Sequence, residues 1–188
     1  KEGEASKKDD KGKDQSGDKK LDRYWNLEDS VISGLDDPID NVEEAKHGLS
    51  ELLMDSVKRQ MVSDVPLGGL LSSGLDSSLV IAMMQQLSHK PIETFTIGFE
   101  NTNYDESYDA RKVSGFLGTK HHDHVVTADE AKEFVPKLAT VYDEPFADSS
   151  QIPFCILSQL VSKHVTVALS GDGGDELFGG YKRYIEFQ

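Results

Sequence analysis

The fold of this chain is signalled by Leu70-Leu71-Ser72-Ser73-Gly74-Leu75-Asp76-Ser77-Ser78, a loop of small side chains between an apolar run and a helical segment. Residues 67–71 predict a short buried strand, and residues 76–87 predict the helix that follows the loop. In an open parallel sheet, ligands bind where loops leave the carboxyl ends of the strands. Backbone N–H groups at a helix start, aided by the helix dipole, hold phosphate. The stretch therefore predicts a phosphate-binding loop at the edge of a parallel sheet.

Two better-known phosphate loops do not match this stretch. It has neither the G-x-x-x-x-G-K-[ST] pattern of a P-loop nor the G-x-G-x-x-G pattern of a dinucleotide site. Its small residues let the backbone approach an anion, and the hydroxyls of Ser72, Ser77 and Ser78 add donors. A carboxylate beside phosphate is costly unless a divalent cation lies between them. Asp76 is therefore a candidate magnesium ligand, and the alternative is a carboxylate that only caps the helix.

A second loop, rich in glycines and carboxylates, follows the apolar residues 165–169, which predict another buried strand. It reads Leu169-Ser170-Gly171-Asp172-Gly173-Gly174-Asp175-Glu176-Leu177-Phe178-Gly179-Gly180-Tyr181. An ordinary strand-to-helix turn needs fewer glycines and no cluster of acidic side chains. Asp175 is a candidate second magnesium ligand, and Asp172 is a candidate to orient or deprotonate a substrate. A phosphate loop facing clustered carboxylates indicates a magnesium nucleotide held between them.

Composition restricts the class of protein. The 188 residues, 37% hydrophobic and 29% charged, suit one globular domain, and the net charge of −14 disfavours sequence-independent binding to nucleic acid. The sequence has no apolar run of about 18 residues and a polar amino terminus, so we expect neither a membrane span nor a secretory leader. The single cysteine, Cys155, excludes an internal disulfide and favours a buried side chain in a protein of the reducing cytoplasm.

Strands and helices alternate along the chain. Residues 1–20 have no aliphatic side chain larger than alanine and no aromatic one, so we expect a disordered tail or linker before a domain over 21–188. Capping-box patterns at Asp40-Asn41-Val42-Glu43 and at 127–130 start two of the helices. The alternation predicts an α/β fold with a doubly wound parallel sheet, covered by helices on both faces. The further predicted helices span 41–61, 105–117, 127–141 and 152–163, and the further strands span 93–99 and 120–126.

Four segments between the two loops extend the pattern. They are Phe95-Thr96-Ile97-Gly98-Phe99, Tyr104-Asp105-Glu106, Leu117-Gly118-Thr119-Lys120-His121-His122 and Asp143-Glu144-Pro145-Phe146-Ala147-Asp148-Ser149-Ser150. Together with both loops, they make residues 24–184 resemble the synthetase, or ATP-pyrophosphatase, domain of glutamine-hydrolysing asparagine synthetases. The resemblance implies an adenine nucleotide alpha hydrolase-like fold.

The resemblance also implies ATP-dependent amide formation. In that family, the side-chain carboxylate of aspartate attacks the α-phosphate of MgATP and releases pyrophosphate, and ammonia then displaces AMP from the adenylate. The ammonia comes from glutamine, which is hydrolysed in a separate amino-terminal domain with no counterpart in this sequence. The implied substrates and cofactors are thus ATP, Mg²⁺, aspartate and ammonia.

Matching positions assign roles to individual residues. The resemblance places Leu70 and Ile97 beside the adenosine and makes Asp76 and Asp175 the magnesium ligands. Asp172 matches an acidic position linked to adenylate formation, which makes Asp172 and Asp175 the candidate catalytic residues. The complete set of implied nucleotide contacts is Leu70, Ser72, Ser73, Gly74, Asp76, Ser77, Ser78, Ile97, Ser170 and Gly171.

Three features depart from the family pattern. Ser73 stands where the family loop has glycine, so we expect its Cβ to crowd a phosphate or to require an unfavourable φ. The sequence has no amino-terminal nucleophilic cysteine, and it ends at Gln188, ahead of the lysine that contacts the reacting phosphate in the family. We therefore expect a fragment or excised core, and whether it turns ATP over by itself stays open at this point.

Two other functions remain open at this point. One is a related amidotransferase or cyclase that adenylates another carboxylate, and the other is a degenerate nucleotide-binding module. The oligomeric state is also open, with a homodimer among the options.

The remaining polar clusters have structural explanations. His121, His122 and His124 lie on a predicted strand, where neighbouring side chains point to opposite faces, so we expect structural roles and not one tetrahedral metal site. The acidic residues of 143–148 precede a predicted helix. They either cap that helix or line the amino-acid pocket that the resemblance implies.

Overall fold

The chain separates into two compact units, residues 1–47 and 48–188. The computed structural model describes residues 23–100, 105–145 and 147–186. The predicted tail over 1–20 lies outside the described residues, and so its disorder stays a prediction.

The described part of the first unit, residues 23–47, contains one complete helix and the start of a second. Helix α1 (Leu27–Asp36), which the sequence patterns did not predict, is capped by Asn26. Helix α2 (Val42–Gln60) begins at Asn41, whose Oδ1 accepts hydrogen bonds from the second and third helical N–H groups at 2.9 and 3.1 Å. The cap is therefore one residue later than Asp40, where the capping-box pattern placed it.

The second unit is built on a parallel sheet. Its described strands are β1 (Leu67–Leu70), β2 (Glu93–Phe99), β3 (Lys120–Val126) and β4 (Val167–Leu169). They lie in the order β3-β2-β1-β4, and every adjacent pair runs parallel. Two glycines of β1 let other residues approach the sheet from both sides. A Cβ at Gly69 would lie 2.1 Å from Ile81 Cδ1, and a Cβ at Gly68 would lie 2.8 Å from Phe95 Cε2.

Helices cover both faces of this sheet. They are α3 (Leu75–Leu87), α4 (Ser107–Leu117), α5 (Ala128–Phe134), α6 (Leu138–Val141) and α7 (Gln151–Val161). One core cluster joins Ile81 and Met84 of α3 to the sheet, and a separate cluster joins Ile156 of α7 to Ile97 of β2. Two cores on opposite faces are what a doubly wound sheet requires, so the predicted α/β class is confirmed.

Both glycine-rich loops leave the sheet at the same edge. From β1 the chain passes through α3 to β2 and through α4 to β3, and it then returns past α5 and α7 to β4, on the other side of β1. The direction of winding therefore reverses between β1 and β4. Ligands of open α/β sheets bind in the crevice at such a reversal.

Several element boundaries differ from the sequence predictions. The helix predicted over 127–141 starts at Thr127, whose Oγ1 caps it at 3.1 Å, but a 3-10 turn around Pro136 divides it because proline lacks the N–H donor. Strand β4 begins two residues later than predicted. Two short helices, α8 (Gly174–Phe178) within the second loop and α9 (Lys182–Glu186) after it, were not predicted. Among the helices that the structure describes, none combines the length and the apolar character needed to cross a bilayer.

Candidate functional site

A cavity of about 900 Å³ lies at the carboxyl edge of the sheet, between the loops that follow β1 and β4. Side chains of β2 and α7 complete its wall. The sequence-predicted site residues that line it are Leu70, Ser72, Gly74, Asp76, Ser77, Ile97, Ser170, Gly171, Asp172 and Asp175. Residues nearly a hundred positions apart in the sequence thus share one cavity.

Hydroxyl groups hold the loop after β1 in shape. Ser77 Oγ accepts a hydrogen bond from the Ser72 N–H at 3.1 Å and lies 2.8 Å from Ser72 Oγ. Ser72 Oγ also accepts from the Gly74 N–H at 3.0 Å. The two serines therefore fix the backbone path of the loop, in addition to the donor role that the sequence predicted for them.

The first turn of α3 carries donors without acceptors. The first N–H groups of a helix have no intrahelical partner. Within the described residues, the N–H groups of Leu75, Asp76 and Ser77 have no protein acceptor, and all three residues line the cavity. Together with the helix dipole, these donors make the helix start a favourable place for an anion.

Two residues of the first loop lie outside the cavity lining. The Ser78 hydroxyl donates to the Gly74 carbonyl at 2.7 Å, within its own helix, so it is not placed as the phosphate donor that the sequence predicted. The Ser73 N–H donates to Glu106 Oε2 at 3.2 Å. The Ser73 backbone thus meets a carboxylate, and Ser73 is not among the residues that line the cavity.

Glycines of the second loop allow the two loops to touch. A Cβ at Gly171 would lie 2.6 Å from the backbone nitrogen of Ser77 and 2.9 Å from the carbonyl carbon of Asp76. A Cβ at Gly174 would lie 2.4 Å from Asp76 Oδ2. Both positions therefore need glycine for space, because the start of α3 and the Asp76 carboxylate occupy the room that a side chain would take.

The Asp175 carboxylate occupies a similar gap. A Cβ at Gly180 would lie 1.9 Å from Asp175 Oδ1, and the Gly180 N–H donates to the Asp175 carbonyl at 3.0 Å. Gly173 and Gly179, with φ of 93° and 68°, form the left-handed turns that start and end the short helix α8. Asp76 and Asp175 both line the cavity, and their oxygen atoms are the donor type that Mg²⁺ prefers, so the residues present fit a magnesium ion.

The other two acidic residues of this loop have hydroxyl partners. Asp172 Oδ2 accepts from the Ser170 hydroxyl at 2.9 Å, and both residues line the cavity. Glu176 Oε1 accepts from the Tyr181 hydroxyl at 2.6 Å. This hydrogen bond lowers the pKa of Glu176 and raises the pKa of Tyr181 to about 12. Asp172 therefore faces the cavity, whereas Glu176 is bound to the segment that follows α8.

An apolar wall faces the charged loops. Leu70 and Ile97, predicted beside the adenosine, form part of it. Phe99, Phe154 and Phe178 complete it, and the sequence patterns gave them no site role. Phe154 and Phe178 are 51% and 59% exposed, so their rings are accessible to a ligand in the cavity. The available signals in the sequence were the position of Phe154 in the first turn of the helix predicted over 152–163 and the position of Phe178 within the second loop.

Glu106 is the site residue that the sequence patterns missed most clearly. It belongs to a segment quoted for the family resemblance, but it received no role. The structure places its carboxylate in the cavity wall and within hydrogen-bond distance of the phosphate loop, at the Ser73 N–H. A negative group thus occupies one donor of a loop that is otherwise suited to phosphate.

Among the acidic residues of 143–148, Asp148 has hydrogen bonds that indicate its role. Asp148 Oδ1 accepts from the hydroxyl and the N–H of Ser150, each at 2.7 Å, and these bonds lower the pKa of Asp148. Asp148 therefore organises the turn before α7, which supports the capping interpretation. The cavity lining includes Ser150 but none of the acidic residues of 143–148.

The three histidines of β3 have three separate sets of partners. His121 Nδ1 lies 3.0 Å from Thr94 Oγ1, and burial lowers the pKa of its ring. His124 Nε2 lies 2.8 Å from a carboxylate oxygen of Glu130. His122 is on the opposite face from His121, where it contacts Glu93. The three histidines of this strand therefore have different partners, and the contacts of His121 and His124 suit the structural roles predicted for them.

Comparisons with known proteins show similarity to one family of enzymes. The asparagine synthase family model matches residues 48–187. A putative glutamine-hydrolysing asparagine synthetase 2 of Methanocaldococcus jannaschii is 42% identical over 163 residues, which are 86% of this chain and 30% of that protein. Glutamine-hydrolysing asparagine synthetase 1 of Bacillus subtilis is 40% identical over 136 residues, which are 72% of this chain and 21% of that protein. The chain therefore spans less than a third of the length of these relatives.

One solved structure has a similar but distant fold. An NH3-dependent NAD synthetase from Campylobacter jejuni matches with a TM-score of 0.49 and 15% identity, over 72% of this chain and 60% of that one.

Proposed function

Because the chain belongs to the asparagine synthase family, we propose that its cavity binds MgATP and carries the ATP-dependent half of asparagine synthesis. In this reaction, the side-chain carboxylate of aspartate attacks the α-phosphate, an oxygen–phosphorus bond forms, and the bond to pyrophosphate breaks. Ammonia then attacks the activated carbonyl carbon, AMP leaves, and an amide results. A glutaminase domain outside this chain supplies the ammonia.

One observation carries the proposal: the glycines of the second loop bring its backbone against the start of α3 and the Asp76 carboxylate. An isolated turn would not need the space that glycine leaves at positions 171 and 174. This space allows the two loops to approach, so that an anion at the α3 N–H groups and a cation on Asp76 can be bound side by side. The triphosphate then lies against Ser72 to Ser77, and the adenosine lies against Leu70 and Ile97. Magnesium supplies charge neutralisation for the departing pyrophosphate.

The residues of this chain perform the remaining tasks. Asp76 and Asp175 hold the cation, and the N–H groups of the first turn of α3 stabilise negative charge that develops on the phosphates. In this proposal Asp172, which is hydrogen-bonded to Ser170, orients the attacking carboxylate or the incoming ammonia. The apolar wall excludes water, which otherwise hydrolyses the adenylate.

Isotope exchange between pyrophosphate and ATP tests this function in the chain as it stands. We expect magnesium-dependent exchange that requires aspartate. Exchange that requires a different carboxylate would replace asparagine synthesis with another amide-forming or ring-closing reaction. Tight MgATP binding without exchange under any carboxylate would indicate a nucleotide-binding module, and Asp172→Asn serves as the variant that should retain binding while it loses exchange.

A further inference from the structure

At the opposite, amino-terminal edge of the sheet, one cluster of possible metal ligands occurs among the described residues. Glu93, His122 and His164 each offer one ligand atom, and these three atoms lie within 4.8 Å of one another. The residues come from β2, from β3 and from the segment that leads into β4. We propose that Glu93, His122 and His164 form a binding site for a divalent transition metal, with zinc as the preferred ion.

The packing of the sheet brings the three side chains together. The rings of His122 and His164 lie 4.0 Å apart between centroids, and His122 stacks on Phe95 at 5.2 Å. Gly68 of β1 lies beneath this group, since a Cβ there would collide with Phe95 and approach Val165. The missing side chain lets a residue near β4 reach across β1 to residues of β2 and β3.

The chemistry of the cluster suits zinc. Two imidazole nitrogens and one carboxylate oxygen form a common ligand set of zinc sites, with water in the fourth position. Zinc bonds of about 2.0–2.1 Å require ligand atoms that are closer together than 4.8 Å, so the side chains must close around the ion. His164 is exposed and its ring already lies beside that of His122, and Glu93 and His122 are half-buried and in contact.

Charge at the cluster is also compatible with a cation. Burial opposes ionisation of Glu93, but hydrogen bonds from Lys120 and His122 outweigh it and lower the pKa of the carboxyl. The Lys120 ammonium contacts Oε1 at 2.8 Å, whereas His122 contacts Oε2. A metal ion can therefore replace the proton between His122 and Oε2 while Lys120 keeps the other oxygen. The Lys120 side chain is 62% exposed, so water screens its repulsion of the ion.

This site is separate from the cavity in both position and chemistry. The cavity ligands are carboxylates, which suit magnesium, and the amino-edge cluster contains two imidazoles, which suit zinc. A metal bound here would join β3 to the segment entering β4. Strands β3 and β4 are the two outer strands of the described sheet. Its predicted consequence is greater stability of the second unit, because an ion that binds only the folded state raises the melting temperature.

The test is zinc titration of the full chain by calorimetry and thermal denaturation, without nucleotide and in excess magnesium, so that the carboxylates of the cavity are occupied. We expect saturable binding of one zinc ion and a rise in melting temperature. His164→Ala should weaken zinc binding by at least about tenfold and remove the thermal shift. Because His164 is exposed, this variant should remain folded, which circular dichroism checks.

Two further variants make the test specific. His124→Ala removes a histidine from the same strand but outside the cluster, and it should leave zinc affinity unchanged. His164→Asp returns an oxygen ligand and should recover part of the affinity. Equal zinc affinity in the unmodified chain and in His164→Ala would overturn the proposal, and so would an equal loss in His124→Ala.

Discussion

The carboxylates at the two edges of the parallel sheet differ in whether they form ion pairs. At the carboxyl edge, Asp76, Asp172 and Asp175 line the cavity, and no ion pair within the described residues involves them. At the amino edge, Glu93 is paired with both Lys120 and His122. The carboxylate at the amino edge is thus paired with side chains of the protein, whereas those at the carboxyl edge have no such partner among the described residues.

The two edges also differ in what fills the space around them. The carboxyl edge is rich in glycine, and the gaps at Gly171 and Gly174 are filled by the start of α3 and by the Asp76 carboxylate. The amino edge is filled by the rings of Phe95, His122 and His164. Side chains that pack together stabilise a fold, whereas close backbone approach around free donors and carboxylates suits a ligand. Nucleotide binding at the first edge is our proposal, and four experiments test the difference between the two edges.

The largest effect is expected for Gly171→Ala. Its Cβ would lie 2.6 Å from the Ser77 nitrogen, so the loops must separate, and a displacement of about 1 Å in a site can cost on the order of 100-fold in activity. Calorimetry should show a comparable loss of MgATP affinity. Gly115→Ala is the control, because a Cβ there meets nothing within 4 Å and alanine favours a helix. Unchanged ATP affinity in Gly171→Ala would contradict the close contact between the loops.

The next effect concerns the cation at the carboxyl edge. Asp76→Asn and Asp175→Asn should each weaken MgATP binding on the order of tenfold, about 1.4 kcal/mol, and excess magnesium should partly restore it. The double variant should lose less than the sum, because both side chains bind one ion. Asp129→Asn removes an exposed carboxylate from α5 and should have no effect. Additive losses that magnesium does not relieve would exclude a shared cation.

A smaller effect, with the opposite sign, is expected for Glu106→Gln. The Glu106 carboxylate accepts from the Ser73 N–H, so it competes with a phosphate for this donor and repels the triphosphate. Removing its charge should tighten ATP binding by less than about fivefold, which corresponds to an exposed charge interaction of up to about 1 kcal/mol. The matched change Glu133→Gln, on the exposed part of α5, should leave the affinity unchanged. Weaker binding in Glu106→Gln would instead show that this carboxylate positions the loop or the metal.

The smallest effect is a pH dependence of stability at the amino edge. The pKa of Glu93 lies below its ordinary value of 4.5, so its ionised form favours the folded state. This contribution is fully present above pH 4.5 and is lost as the pH falls through the lower pKa of the folded state. Denaturant unfolding at a series of pH values should show a gap between the unmodified chain and Glu93→Gln, and this gap should close in acid. A gap that is constant down to acidic pH would mean that packing, and not charge, holds Glu93.

Helix ends that are set by local chemistry were predictable from the sequence. Helix α4 ends at Gly118, which has φ of 72°, and α5 starts at Thr127, because left-handed turns favour glycine and hydroxyls cap helices. The buried strand β1 and the loop after it also followed from short apolar and small-residue runs. Helix α1 was missed, and it is an amphipathic segment whose large apolar side chains are mostly exposed. The break at Pro136 was missed because the helical pattern continues on both sides of it.

The sequence by itself determined the chemical content of the site. A loop of serines before a helix and a loop of glycines with aspartates indicated phosphate and a divalent cation, because those preferences belong to side chains and backbone N–H groups wherever they are placed. Only the tertiary structure decided which of them meet. Gly171 against Ser77, Glu106 against Ser73, and His164 against His122 are contacts between distant segments. They depend on the strand order β3-β2-β1-β4 and on the side of the sheet where each connection crosses, and neither is encoded in a local pattern.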